Sequence, residues 1–147
     1  MVSVDTHILF YAFHKGSALN VPARSFLESH IGDSTFAICD IVIDELQALL
    51  GCPAFAERLP AEEPARYIIA FLYHASHWCS IGGWGPVEEA FWQWAARTEF
   101  DFRRLHEARL ALLLRGAGVT EFATRFPQDY QNFGFKRVWD PLVTPSP

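Results

Sequence analysis

Four carboxylates, Asp5, Glu45, Glu107 and Asp129, are spaced along this chain where a cation-assisted reaction would need them. Asp5 closes the short run Val2-Ser3-Val4 and precedes the apolar segment Ile8-Leu9-Phe10. That places it at the end of a first strand, on the carboxyl edge of a sheet, where open α/β folds do their ligand chemistry. A carboxylate hemmed by apolar residues is retained for a hydrogen-bonded turn, a cation or a proton transfer. Glu45 has Ile41, Ala48 and Leu49 at three and four positions along its helix, so it lies in an apolar stripe; the alternative is a stripe-edge acid reaching water. Its neighbour Asp44 shares a side with Asp40 and Gln47 and reads as solvated. Glu107 aligns with Leu110, Ala111 and Leu114. It also occupies a first helical turn, where negative charge is favoured by roughly 0.3–1 kcal/mol whatever its chemistry. Asp129 follows a strand, and its plain alternative is a loop acid closing a local turn. Four such groups on one site would repel one another unless a divalent cation neutralised them. An oxygen-only set suits Mg²⁺ or Mn²⁺. Such a site activates water and stabilises charge on a phosphodiester under attack.

The elements that would carry these residues alternate. Ser3–Asp5 reads as a strand and Ile8–Phe13 as a short helix. Pro22 is placed to open a helix through about Ile31. Thr35–Cys39 reads as a strand, and Asp40 as the N-cap of a helix to Leu50, stopped by Gly51. Residues 53–64 carry three prolines and read as a connection. Arg66–His74 reads as helical and Trp78–Ile81 as a strand. After the break Gly82-Gly83-Trp84-Gly85-Pro86 come helices from Val87 to about Arg97 and from Arg103 to Arg115. Val119–Thr124 and Phe135–Trp139 read as the last two strands, with Asp129 on the loop between them. Alternation of this kind predicts an α/β fold, a mostly parallel sheet covered by helices on both faces.

The bounds agree. A chain of 147 residues, half of them hydrophobic, reads as one domain over residues 1–147 with one sizeable core. No run approaches the roughly 18 apolar residues of a membrane span, and no signal peptide opens the sequence. Three cysteines, Cys39, Cys52 and Cys79, fit no pairing pattern and point to a reduced, cytoplasmic setting. The net charge of −5 argues against broad nucleic-acid affinity and fits either a cluster of cation-binding acids or a basic partner.

Four segments in order resemble those of the PIN-domain ribonucleases, over essentially the whole chain. Val4-Asp5-Thr6-His7-Ile8-Leu9 resembles their opening strand–Asp–Thr–helix motif, and Ile41-Val42-Ile43-Asp44-Glu45-Leu46 the helix with one inward Glu. His106-Glu107-Ala108-Arg109-Leu110-Ala111 resembles the third motif, usually His-Asp-Ala-x-Leu-Ala. The segment from Phe122 to Tyr130 resembles the fourth, usually Thr-x-Asn-x-x-Asp-Phe. Val138-Trp139-Asp140-Pro141 resembles the terminal strand and proline. The subfamily it is most similar to is the VapC toxins of type II toxin–antitoxin modules. The resemblance implies a three-layer α/β/α PIN fold and Mg²⁺- or Mn²⁺-dependent endonucleolytic RNA cleavage. It also implies homodimerisation and inhibition by a small antitoxin. Asp5, Glu45, Glu107 and Asp129 would form the acidic site, with Asp5, Glu107 and Asp129 as metal ligands and Thr6 in support through its hydroxyl. Two positions depart from the pattern: Glu107 stands where Asp is usual, and Phe126 where Asn is usual.

The rival readings rest on less. A phosphoaspartyl transferase needs a second Asp two positions after the first, where this chain has His7. His74, His77 and Cys79 suggest zinc but lack a fourth ligand at ordinary spacing. The serious alternative is a catalytically impaired PIN-fold module that binds RNA or protein. The aromatic group Phe71, Tyr73, Trp78, Trp84, Phe91, Trp92 and Trp94 reads mostly as core, with part of it open to a dimer or antitoxin interface.

Overall fold

The apolar runs read as strands pair side by side, and every pairing is parallel. The computed structural model describes residues 1–52, 66, 70–71, 77–83, 85–96 and 104–143. Strands β1 (Val2–Val4), β2 (Phe36–Cys39), β3 (Cys79–Ile81), β4 (Glu121–Ala123) and β5 (Arg137–Trp139) form a sheet of order β3-β2-β1-β4-β5. β2 is buried along its whole length, as a strand covered on both faces must be.

Helices α1 (Thr6–Phe13), α2 (Asn20–Glu28) and α3 (Asp40–Leu50) pack as one group. Helices α4 (Glu88–Ala95), α5 (Leu105–Gly116) and α6 (Pro127–Tyr130) pack as another, with a 3₁₀ turn at Gly85–Val87 wedged against α4 and α5. Right-handed crossovers put the two groups on opposite faces, which makes three layers. Val4, Ile8, Leu9, Phe36, Val42, Leu46, Leu110, Leu114 and Phe122 are fully buried between them. The chain steps from β1 to β2 and β3 on one side, then returns to β4 on the other. The order therefore reverses at β1, and a crevice opens outside the carboxyl ends of β1 and β4.

Several boundaries move, each for a local reason. β1 stops at Val4, because Asp5 turns out of the strand and accepts the Thr6 N–H on its own side chain as the N-cap of α1. α2 starts two residues before Pro22. Asn20 Nδ2 donates to the carbonyls of Tyr11 and Ala12, so one amide ends α1 and fixes the start of α2. Asp40 is the first residue of α3 and not its N-cap; Cys39 holds the cap position, although Asp40 Oδ1 still accepts from the Ile41 N–H. Asp129 lies on the four-residue helix α6, not on a loop, because Pro127 is preset for a first helical position. The expected strands 119–124 and 135–139 shorten to β4 and β5.

Arg66, Ala70 and Phe71 are helical, as expected. Most of that segment, the connection at 53–64, and His74, Tyr73 and Trp84 lie outside the described residues. Trp78 and Phe91 are buried and Phe71 packs against the core, whereas Trp92 is 58% exposed. All three cysteines are free thiols. Among the described residues no helix is long and apolar enough to cross a membrane.

Candidate active site

Asp5 sits in the crevice at the point where the strand order reverses. Val4 pairs with Ala123, so the next residues, Asp5 and Thr124, leave neighbouring strands together. The Asp5 N–H donates to the Ala123 carbonyl at 2.9 Å. The Asp5 side chain is buried and held at both oxygens: Oδ1 accepts from the Thr6 N–H at 2.8 Å and Oδ2 from the Thr124 hydroxyl at 2.5 Å. Burial still dominates and holds its carboxyl above the ordinary range. The Thr124 and Thr6 hydrogen bonds and the His7 ring pull the other way, and the Glu45 charge adds to the rise.

α3 delivers Glu45 to the same place. Its Oε2 accepts from the Thr6 hydroxyl at 2.5 Å and lies 3.3 Å from His106 Nε2. The His106 contact is the main reason its pKa is lowered. The imidazole responds in kind: Glu45 raises the His106 pKa, with smaller contributions from Glu107 and Asp5. Thr6 joins the Asp5 cap to Glu45, through its N–H on one side and its hydroxyl on the other.

Glu107 enters from the first turn of α5. Its Oε2 is buried and has no hydrogen-bond partner. A buried carboxylate oxygen without a donor is a position a cation fits. Asp129 lies in the first turn of α6. Its N–H donates to the Phe126 carbonyl at 3.0 Å, and its own carbonyl accepts from Arg104. Tyr130, the next residue on α6, is buried. Burial is the main cause that raises its hydroxyl pKa, and Asp5, Glu107, Glu45 and Asp129 each raise it further. The contacts on the page join Asp5, Thr6, Glu45 and His106, with Thr124 on the far oxygen of Asp5.

The acids are hard oxygen donors of the kind Mg²⁺ and Mn²⁺ take, and the orphaned Glu107 oxygen fits such an ion. Among the described residues no group of three or more His, Cys, Asp or Glu side chains stands where it could hold a metal ion. A groove of about 410 Å³ runs past Glu45, lined also by Asp40, Ile41, Asp44, His106 and Arg109. Phe126 is 40% exposed and in edge contact with His7 at 5.0 Å between ring centres, and His7 Nδ1 in turn lies 4.0 Å from Asp5 Oδ2.

Thr124, His106 and Tyr130 are part of the site and were not singled out from the sequence. Thr124 had a signal: it follows β4 as Asp5 follows β1. The contacts of His106 and Tyr130 depend on how α5 and α6 pack, which no local pattern shows.

No family model matches the sequence. Ribonuclease VapC24 of Mycobacterium tuberculosis is 38% identical over 144 residues, which cover 98% of this chain and 99% of that protein. Among solved structures, VapC20 of M. tuberculosis, described as a sarcin–ricin loop cleaving toxin, superposes with a TM-score of 0.67 at 18% identity, over 92% of this chain and 96% of its own. A chain of FitAB bound to an IR36 DNA fragment gives 0.66 at 14% identity and 99% coverage of each chain. FitAcB of Neisseria gonorrhoeae gives 0.65 at 15% identity, over 98% of this chain and 100% of that one. These likenesses carry the PIN-type α/β fold, and the full-length identity carries the family: this chain belongs to the VapC ribonucleases.

Proposed function

We propose that this protein is the toxin of a type II toxin–antitoxin module, an endoribonuclease that hydrolyses RNA phosphodiesters at the crevice outside β1 and β4. The near-full-length relationship to a ribonuclease VapC carries the reading. The contacts that join Asp5, Thr6, Glu45 and His106, and the buried Glu107 oxygen without a hydrogen-bond partner, support it. Asp5, Glu107 and Asp129 are the residues that would hold Mg²⁺ or Mn²⁺. When bound, the ion lowers the pKa of water and offsets charge on the phosphate. The chain's own residues do the rest. Thr6 and Thr124 fix both oxygens of Asp5. Glu45, kept ionised by His106 and the Thr6 hydroxyl, is the carboxylate placed to take the proton of an attacking water at Oε2.

The partners that follow are a small antitoxin, a second copy of the chain in a homodimer, and RNA, with action in the cytoplasm. The alternative of a PIN-fold binding module without turnover draws on the departures at Glu107 and Phe126 and on there being, among the described residues, no group of three or more His, Cys, Asp or Glu side chains placed to hold a metal ion. One experiment separates the two. Purified protein is incubated with total RNA, with Mg²⁺, with Mn²⁺ or with a chelator, and new RNA ends are sequenced. The reading expects cation-dependent cuts that leave 5′-phosphate and 3′-hydroxyl ends. Cleavage that survives chelation with 2′,3′-cyclic phosphate ends overturns the metal mechanism, and no cleavage under any condition leaves the binding module.

A further inference from the structure

We propose that Phe126 is a base-stacking platform, which positions an unpaired nucleobase of the RNA beside the acidic site; this rests on the ribonuclease reading above. The residue sits one position before α6, in the loop that begins with Thr124, the residue whose hydroxyl holds Asp5. Its backbone is fixed from both directions. The Phe126 N–H donates to Thr124 Oγ1 at 3.1 Å, and its carbonyl accepts from the Asp129 N–H at 3.0 Å. Pro127 follows and restricts the chain further. The ring itself meets His7 in a perpendicular contact, with ring centres 5.0 Å apart and planes at 84°. A perpendicular contact covers one edge or one face and no more. The residue remains 40% exposed, so aromatic surface is left open.

A large apolar ring is held rigid and exposed within two residues of a group that fixes the acidic centre. Core packing does not explain it, because the ring is not in the core. An unpaired base is the occupant its position favours. The chain carries a net charge of −5, and Asp5 and Glu45 are joined nearby through Thr6, so attraction for phosphate is weak where the backbone must approach. Stacking needs no charge, accepts any base, and contributes a large share of affinity for single-stranded RNA. A base on Phe126 would anchor the RNA strand near Asp5 and add equally to ground-state and transition-state binding.

The test compares wild-type protein with Phe126→Tyr, which keeps the ring, and Phe126→Leu, which keeps apolar bulk without it. The probe is a short single-stranded RNA bearing 2-aminopurine, whose fluorescence reports stacking. Binding is read under chelation, and kcat and KM are read with Mn²⁺; thermal melts establish that both variants fold. Phe126→Leu is expected to lose the stacking signal and to raise Kd and KM about tenfold, with kcat at saturating RNA nearly unchanged. Phe126→Tyr is expected to behave as wild type. Equal binding, KM and fluorescence for Phe126→Leu and wild type overturn the platform and assign the exposed ring to a protein contact. If wild type neither binds nor cuts RNA, the ribonuclease reading falls and the platform with it.

Discussion

The Thr124 hydroxyl donates to Asp5 Oδ2 at 2.5 Å, across the junction where β1 and β4 end side by side. Both groups are buried, so this bond and the Thr6 N–H are what a desolvated carboxylate has in place of water. Thr124→Val keeps the shape and removes the donor. Loss of the partner of a buried group costs about 1–3 kcal/mol. The expected outcome is a lower Tm and slower RNA cleavage, with Thr124→Ser close to wild type in both. A valine variant as stable and as active as wild type would show that the hydroxyl holds nothing in place.

Asp5→Asn separates fold from chemistry. Burial raises the Asp5 pKa above its ordinary 3.8, so the folded state binds this proton more tightly than the unfolded one. Stability from this group is therefore greatest below the ordinary value and falls as pH rises through the raised one. Asp5→Asn is expected to abolish RNA cleavage assayed with Mn²⁺ and, in melts run under chelation, to flatten the decline in Tm as pH rises above 3.8. Retained cleavage would remove Asp5 from the site. An unchanged pH profile of Tm would mean that its carboxyl is already ionised at little cost.

The Glu45–His106 pair has the opposite pH signature at each end. Glu45 is depressed below its ordinary 4.5, so its contribution is present above that value and lost as pH falls through the depressed one. His106 is raised above 6.5, so its contribution is complete below that value and lost as pH rises through the raised one. The pair is thus strongest between 4.5 and 6.5. The side chains are 32% (Glu45) and 46% (His106) exposed, so solvent screening keeps the benefit below about 1 kcal/mol. His106→Gln is expected to lower Tm slightly inside that window and not above it, in melts run under chelation. A uniform shift at every pH would assign His106 a packing role.

The sheet and the placement of Asp5 were legible because parallel strands buried on both faces leave short apolar runs, and because a strand end marks the carboxyl edge. Glu45 and Glu107 were legible because a helical period puts each beside apolar neighbours. Three features were not. Thr124 reaches Asp5 only through the β1–β4 register, which strand composition does not encode. The start of α2 is set by Asn20 bonding back to α1, a contact that outranks the local signal of Pro22. Asp129 was placed on a loop because a four-residue helix is too short to show a period; Pro127 was its visible trace.

In the metal-dependent reading proposed above, position 107 would set which ion the site prefers. Glu107 carries one methylene more than the family's usual Asp, which moves its ligand oxygens by roughly one bond length, and Mg²⁺ demands near-ideal octahedral geometry. Oε2 is buried with no donor, so nothing on the protein side holds that oxygen at a fixed ligand position. Mn²⁺ accepts irregular oxygen geometry more readily and sheds its water more easily. Activity is therefore expected to be stronger with Mn²⁺ than with Mg²⁺, and Glu107→Asp to raise the Mg²⁺-supported rate. The competing outcome has a distinct pattern. If the loop from Phe126 to Asp129 is fitted to the longer acid, shortening it opens a gap, and the rate falls by the same factor with either ion. Rates of both proteins in both ions, measured on one RNA, tell the two apart: an equal loss would make Glu107 a fitted ligand, and a gain confined to Mg²⁺ would make it a relaxed one.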